Sequence, residues 1–180
     1  MVKKIVTYPN PILALTSQKI DFAKAGSIAR LKTLVADMAE TINLVKDPPA
    51  AGLSAIQIGE TVRVLIARDF VYDKDTANAV AVKSYLLVNP KYISLSKEQV
   101  ADWEGCLSFP NQYGKVLRHK KIKIKYQDDQ GAEQRLAASG FLARVIQHEL
   151  DHLDGITFNT KAIGKLIKGE ELDTKLKIAD

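Results

Sequence analysis

His148 and His152 stand four residues apart in Gln147-His148-Glu149-Leu150-Asp151-His152. On a helix that spacing stacks both imidazoles on one face, one turn apart, where they can reach a single cation. Glu149 projects beside the pair and can touch a water on that cation without ligating it, as a general base next to a Lewis acid does. Two imidazoles leave a four-coordinate ion short of donors. Cys106, the one cysteine of the chain, in Glu104-Gly105-Cys106-Leu107-Ser108, is the candidate third ligand. One thiolate, two imidazoles and a fourth position open to water describe a catalytic site, whereas a structural zinc site is closed by four Cys or His side chains. The remaining histidine, His119, is flanked by Arg118, Lys120 and Lys121; such cationic neighbours disfavour a metal, and a partly exposed position on a basic strand is expected for it.

A lone cysteine makes no internal disulfide, which agrees with a reducing compartment, where a thiolate ligand also persists. Met1-Val2-Lys3-Lys4-Ile5 carries no apolar signal region, and no stretch is apolar for long enough to span a bilayer. A cytoplasmic protein is therefore expected. With 180 residues, 46% hydrophobic and 26% charged, and no internal repeat or linker, residues 1–180 are read as one domain with a buried core. The net charge of +5 and the lysines of 115–125 and 161–168 allow weak contact with ribosomal RNA, with scattered surface lysines as the plainer explanation. No specific nucleic-acid target, membrane or dimer is implied, and a monomer is expected.

The elements that must position the histidines follow from periodicity. Ile28, Leu31, Leu34, Val35, Met38 and Ile42 recur at helical spacing after Ser27, which predicts a Ser27-capped amphipathic helix to about Val45, ended by Lys46-Asp47-Pro48-Pro49. Val62 to Ala67, Ser84 to Val88 and Tyr92 to Leu95 are β-rich, with Asn89-Pro90 as a break. Asp69 to Lys83 reads as a surface insertion between strands. Ile122, Ile124 and Tyr126 alternate with polar residues, and Asp128-Asp129-Gln130-Gly131 turns the chain into Gln134 to Ala137. The histidine helix is predicted from about Ser139 to Leu153, with Gly155 near its end. This order predicts an α+β fold, mostly antiparallel sheet packed around a central metal-binding helix. Residues 158–180 are either a short docked helix or a tail.

Three blocks then resemble one family. Ala51-Gly52-Leu53-Ser54-Ala55-Ile56-Gln57, Glu104-Gly105-Cys106-Leu107-Ser108 and Gln147 to Gly155 occur in the order and rough spacing of peptide deformylases, metal enzymes that remove the formyl group from the N-terminal methionine of new polypeptides. The resemblance runs from about Tyr8 to Phe158. The histidine block alone is shared with many metalloproteases; joined to the cysteine block it is highly specific.

The resemblance implies that Cys106, His148 and His152 hold the metal and that Glu149 is the acid/base residue for attack by metal-activated hydroxide on the formyl carbon. It implies an oxyanion hole from Gln57 and the backbone N–H of Leu107, where two donors meet the charge that develops on a formyl oxygen. N-formylmethionyl peptides are the implied substrates, bound as an added strand where Gly52 and Gly105 permit close backbone approach. Phe141 and Val145 are candidates for the methionine pocket. Arg118 is a candidate for steering the peptide, or else part of a solvated basic face. The family's metal is ferrous iron, with Zn2+ or Ni2+ as substitutes; the donor set also suits Co2+.

The first block departs from the family pattern. Ala50 replaces a glycine, Ala51 a branched aliphatic and Ser54 an alanine. If the backbone at Ala50 requires a positive φ, its methyl group imposes strain of about 1 kcal/mol or more. Two other classes of function share parts of the pattern. A zincin-like peptidase would draw its third ligand from downstream, where Glu170 and Glu171 are available. A non-enzymatic binding module would keep the metal for stability.

Overall fold

The computed structural model describes residues 1–46, 48–72 and 79–179. Its elements are α1 (Ser27–Asn43), β1 (Gly52–Ser54), β2 (Val64–Tyr72), β3 (Ala79–Leu95), β4 (Gln99–Cys106), β5 (Phe109–His119), β6 (Lys121–Gln127), β7 (Glu133–Ser139), α2 (Gly140–Leu153), β8 (Ala162–Ile167) and α3 (Gly169–Ala179). A five-stranded sheet runs β1-β2-β3-β6-β7 and a three-stranded sheet runs β4-β5-β8. All neighbouring strands are antiparallel. The expected α+β arrangement around the histidine helix is the one that forms.

The run Val64-Leu65-Ile66-Ala67 is apolar at every position because β2 is covered on both faces. Leu65 and Ala67, with Leu87, Ile122 and Ile124, pack against Leu142, Ala143, Ile146 and Leu150 of α2. Val64, Ile66 and Val88 on the opposite face pack with Leu31, Met38 and Ile42 of α1. Side chains alternate across a strand, so each helix takes one parity of β2. The large sheet thus presents a rigid, two-sided wall to α2.

Several boundaries differ from expectation. Ser27 does not cap α1; Gly26, at φ 80, takes the N-cap position and Ser27 starts the helix. Ile28 is exposed, outside the core stripe. Asn89-Pro90 does not separate two strands. Asn89 adopts φ 50, and the register of β3 slips between Val88 and Lys91, so one long strand bulges as it changes partner from β2 to β6. Asparagine tolerates the left-handed region, and proline, lacking an N–H, sits well at a bulge. Of the expected insertion, 69–72 and 79–83 continue β2 and β3 as a paired hairpin; positions 73–78 lie outside the described residues. The segment after Phe158 ends in a short helix, α3, one of the two expected forms, but an unexpected strand, β8, pairs with β5 before it. The positive φ considered for Ala50 does not occur, so its methyl carries no such strain.

Candidate active site

From Leu142 to Leu153 every residue of α2 is buried, although six of them are polar, and buried polar groups need partners. Arg144 donates to Glu104 and to the carbonyls of Val116 and Val100. Gln147 accepts from the N–H of His119 and donates to its carbonyl, which ties α2 to the end of β5. Asp151 pairs with Arg118 and Lys161. The polar face of α2 is therefore held from both flanks by β4, β5 and the segment after α2.

His148, His152 and Cys106 meet at the centre of this frame, with one ligand atom of each within 4.8 Å of the others. The His148 and His152 rings lie 5.0 Å apart at 70°, and Nε2 of His152 is 3.2 Å from Cys106 Sγ. Cys106 ends β4, just before the two-residue turn Leu107-Ser108 into β5. Glu104, two residues earlier on the same strand face, has Oε2 at 3.0 Å from Nδ1 of His148. An ionised carboxylate only accepts, so Nδ1 carries the proton and Nε2 is left as a metal donor. Converging thiolate and imidazole donors, with one ring already oriented by a carboxylate, fit a divalent transition metal.

Glu149 lies on the adjoining face, against β1. Ser54 donates from Oγ to its Oε2 at 2.7 Å, and Gly52 leaves the space its Oε1 occupies, since a Cβ on Gly52 would collide with that atom. Gln57, in the 3-10 turn Ala55–Ile58 that follows β1, accepts from the Ser54 N–H at 2.9 Å through Oε1. That bond fixes its amide, so Nε2 faces Cys106 Sγ at 3.5 Å and Ser108 Oγ at 3.2 Å.

Burial is the first influence on Glu149, Glu104, His152 and His148. It pushes Glu149 above its ordinary value, opposed by His148 and the Ser54 hydroxyl. It would raise Glu104 as well, but hydrogen bonds from Arg118 and His148 outweigh it and hold that carboxyl at about 2. Burial and the neighbouring His148 push His152 well below its ordinary value, as a neutral imidazole ligand requires. For His148 burial is overcome by Cys106 and Glu104, which raise it.

A cavity of about 420 Å³ opens beside these groups, lined by Gly52, Gln57, Gly105, Cys106, Leu107, Phe141, Val145, His148 and Glu149. His152 has no exposed surface and does not line it. Arg118 does not line it, which corrects both readings of that residue: it is 4% exposed and bonded to Glu104 through Nε and Nη2, each at 2.9 Å, and to Asp151. Buried and engaged through all three of its nitrogens, this guanidinium does not reach the cavity in which a peptide would lie. A Cβ on Gly105 would lie 2.7 Å from the Tyr113 ring, which would have to shift to admit it. Sequence reasoning missed the roles of Glu104, Ser54 and Arg144. Glu104 had a signal, since a carboxylate two residues before a strand cysteine shares its face. Ser54 showed only as a departure from the family pattern and Arg144 not at all, because their partners are remote in sequence. Glu170 and Glu171 sit exposed in the first turn of α3, apart from the ligand group.

The sequence profile of the family described as Polypeptide deformylase matches residues 2–166. A peptide deformylase of Campylobacter jejuni is 37% identical over 177 residues, 98% of this chain and 94% of that one. The class I type b peptide deformylase of Acinetobacter baumannii, solved bound to Met-Ala-Ser, superposes with a TM-score of 0.78 at 30% identity, covering 89% of this chain and 98% of the other. A probable peptide deformylase from Synechococcus phage S-SSM7 superposes with a TM-score of 0.75 at 33% identity, covering 88% and 99%. The chain belongs to the polypeptide deformylase family, metalloenzymes that remove the N-formyl group from nascent peptides.

Proposed function

We propose that this chain hydrolyses N-formylmethionyl peptides with Cys106, His148 and His152 holding ferrous iron, and with Zn2+, Ni2+ or Co2+ as substitutes. The observation that carries the reading is the convergence of that ligand group with the Glu149 carboxyl and the Gln57 amide on one cavity. When bound, the cation supplies Lewis acidity that lowers the pKa of water towards about 7.

The rest is done by side chains and backbone. Glu149 takes a proton from the attacking water and returns it to the departing amine nitrogen as the C–N bond breaks, so that formate and a free N-terminus leave. Gln57 Nε2 and the Leu107 N–H stabilise the oxygen of the tetrahedral intermediate. The peptide backbone lies as an added strand between β1 and β4. Each is the edge of its sheet, and Gly52 and Gly105 on them line the cavity. Phe141, 51% exposed, and Val145 form an apolar wall for the methionine side chain. The Met-Ala-Ser bound by the Acinetobacter enzyme likewise begins with methionine.

Nascent chains as substrates place the enzyme in the cytoplasm, as a monomer in weak, salt-sensitive contact with ribosomes. Lys115 lies over Trp103, and Lys120 and Lys125 pair with Glu98 and Glu133, so that contact relies on other lysines; absence of co-sedimentation with ribosomes at low salt would remove it. The catalytic reading is tested by formate release from formyl-Met-Ala-Ser with anaerobically prepared, iron-loaded protein. Release is expected; its absence at full metal occupancy overturns the reading.

A further inference from the structure

We infer that Ser54 is a positioning residue for the reaction, setting the Glu149 carboxylate through its buried hydroxyl. The inference rests on the reading of Glu149 as the acid/base residue. Ser54 has no exposed surface. Its Oγ lies 2.7 Å from Glu149 Oε2 and 2.9 Å from the Glu149 backbone oxygen, so one hydroxyl spans the main chain and the carboxylate of the same residue. Charge makes the carboxylate the stronger acceptor. Among the described residues no other hydrogen bond to this carboxylate is seen. Gly52, two residues earlier on the same face of β1, leaves room for Oε1. Ser54 thus anchors Oε2, Gly52 accommodates Oε1, and the freedom of a flexible glutamate is reduced to one orientation facing the cavity that Gly52 and Glu149 share. The backbone N–H of Ser54 also holds the Gln57 amide, so one strand residue orients the base through its side chain and the amide donor through its main chain.

An alanine at this position fills nearly the same space and keeps the N–H, so Ser54→Ala isolates the hydroxyl. Ser54→Ala and Glu149→Ala are assayed beside the wild type with formyl-Met-Ala-Ser, iron content and Tm being measured on each. A positioning role lowers kcat of Ser54→Ala about tenfold, with KM, metal content and Tm at wild-type values, because the hydroxyl touches the base and not the peptide. Wild-type kcat in Ser54→Ala, or a loss that appears in KM, iron content or Tm, overturns the inference. If Glu149→Ala is inactive while Ser54→Ala keeps full kcat, only the role of Ser54 falls. If Glu149→Ala stays active, the reading beneath it falls too.

Discussion

Glu104 bridges His148 and Arg118: one carboxyl oxygen faces Nδ1 of the histidine at 3.0 Å, and both oxygens take guanidinium N–H bonds at 2.9 Å. Its position two residues before Cys106 lets one strand supply a metal ligand and the partner that orients another. Glu104→Gln keeps the shape and removes the charge. Metal affinity is expected to fall by roughly 10–100-fold, measured by competition with a chelator. Unchanged affinity would show that His148 is oriented by other contacts.

Arg118 is assigned here to the frame of the site. Removing it leaves Glu104 and Asp151 as buried carboxylates short of a partner, and breaking such a pair costs about 3–5 kcal/mol. Arg118→Ala is expected to lower the unfolding free energy in urea by that order, while KM of the folded fraction for formyl-Met-Ala-Ser stays near the wild-type value. A stable variant with a raised KM would restore the peptide-steering role.

Gly52→Ala inserts a methyl group where Glu149 Oε1 lies. The carboxyl must move, and displacement of a reacting group by about 1 Å costs on the order of a hundredfold in rate. The expected result is a loss in kcat of that size with iron still bound, measured on the metal-loaded variant. A rate within threefold of wild type would mean that Glu149 acts from another position.

Cys106→Ala removes the thiolate from the ligand group, and both metal and formate release are expected to be lost together. Retained metal with peptidase activity would favour a zincin-like site. The iron-loaded wild type is expected to lose activity over hours in air, as oxidation attacks a thiolate-bound ferrous centre; a steady aerobic rate would contradict that oxidative loss.

The histidine helix was legible because its chemistry is local: spacing four on a helix fixes the geometry before any tertiary contact forms. The apolar run around Val64 to Ala67 was legible as a strand for a similar reason. The hairpin of β4 and β5 was not, because Gln99 to Trp103 are largely exposed at a sheet edge and show no two-residue alternation. Arg118 was misread from its cationic neighbours, although the alternation Gly114, Val116, Arg118 turns it inward with the buried residues of β5. Ser54 stood out in sequence only as a departure from the family pattern. Its meaning required β1 to meet α2, 95 residues away.

The role of Glu149 as acid/base is tested most directly by the rate of formate release by iron-loaded Glu149→Ala beside iron-loaded wild type. A fall of roughly 10²–10⁴-fold is expected, the usual contribution of a positioned acid/base group, with iron content unchanged. A variant that keeps its iron and more than about a tenth of the wild-type rate would contradict it, since a residual rate that high falls outside the loss such a group supplies.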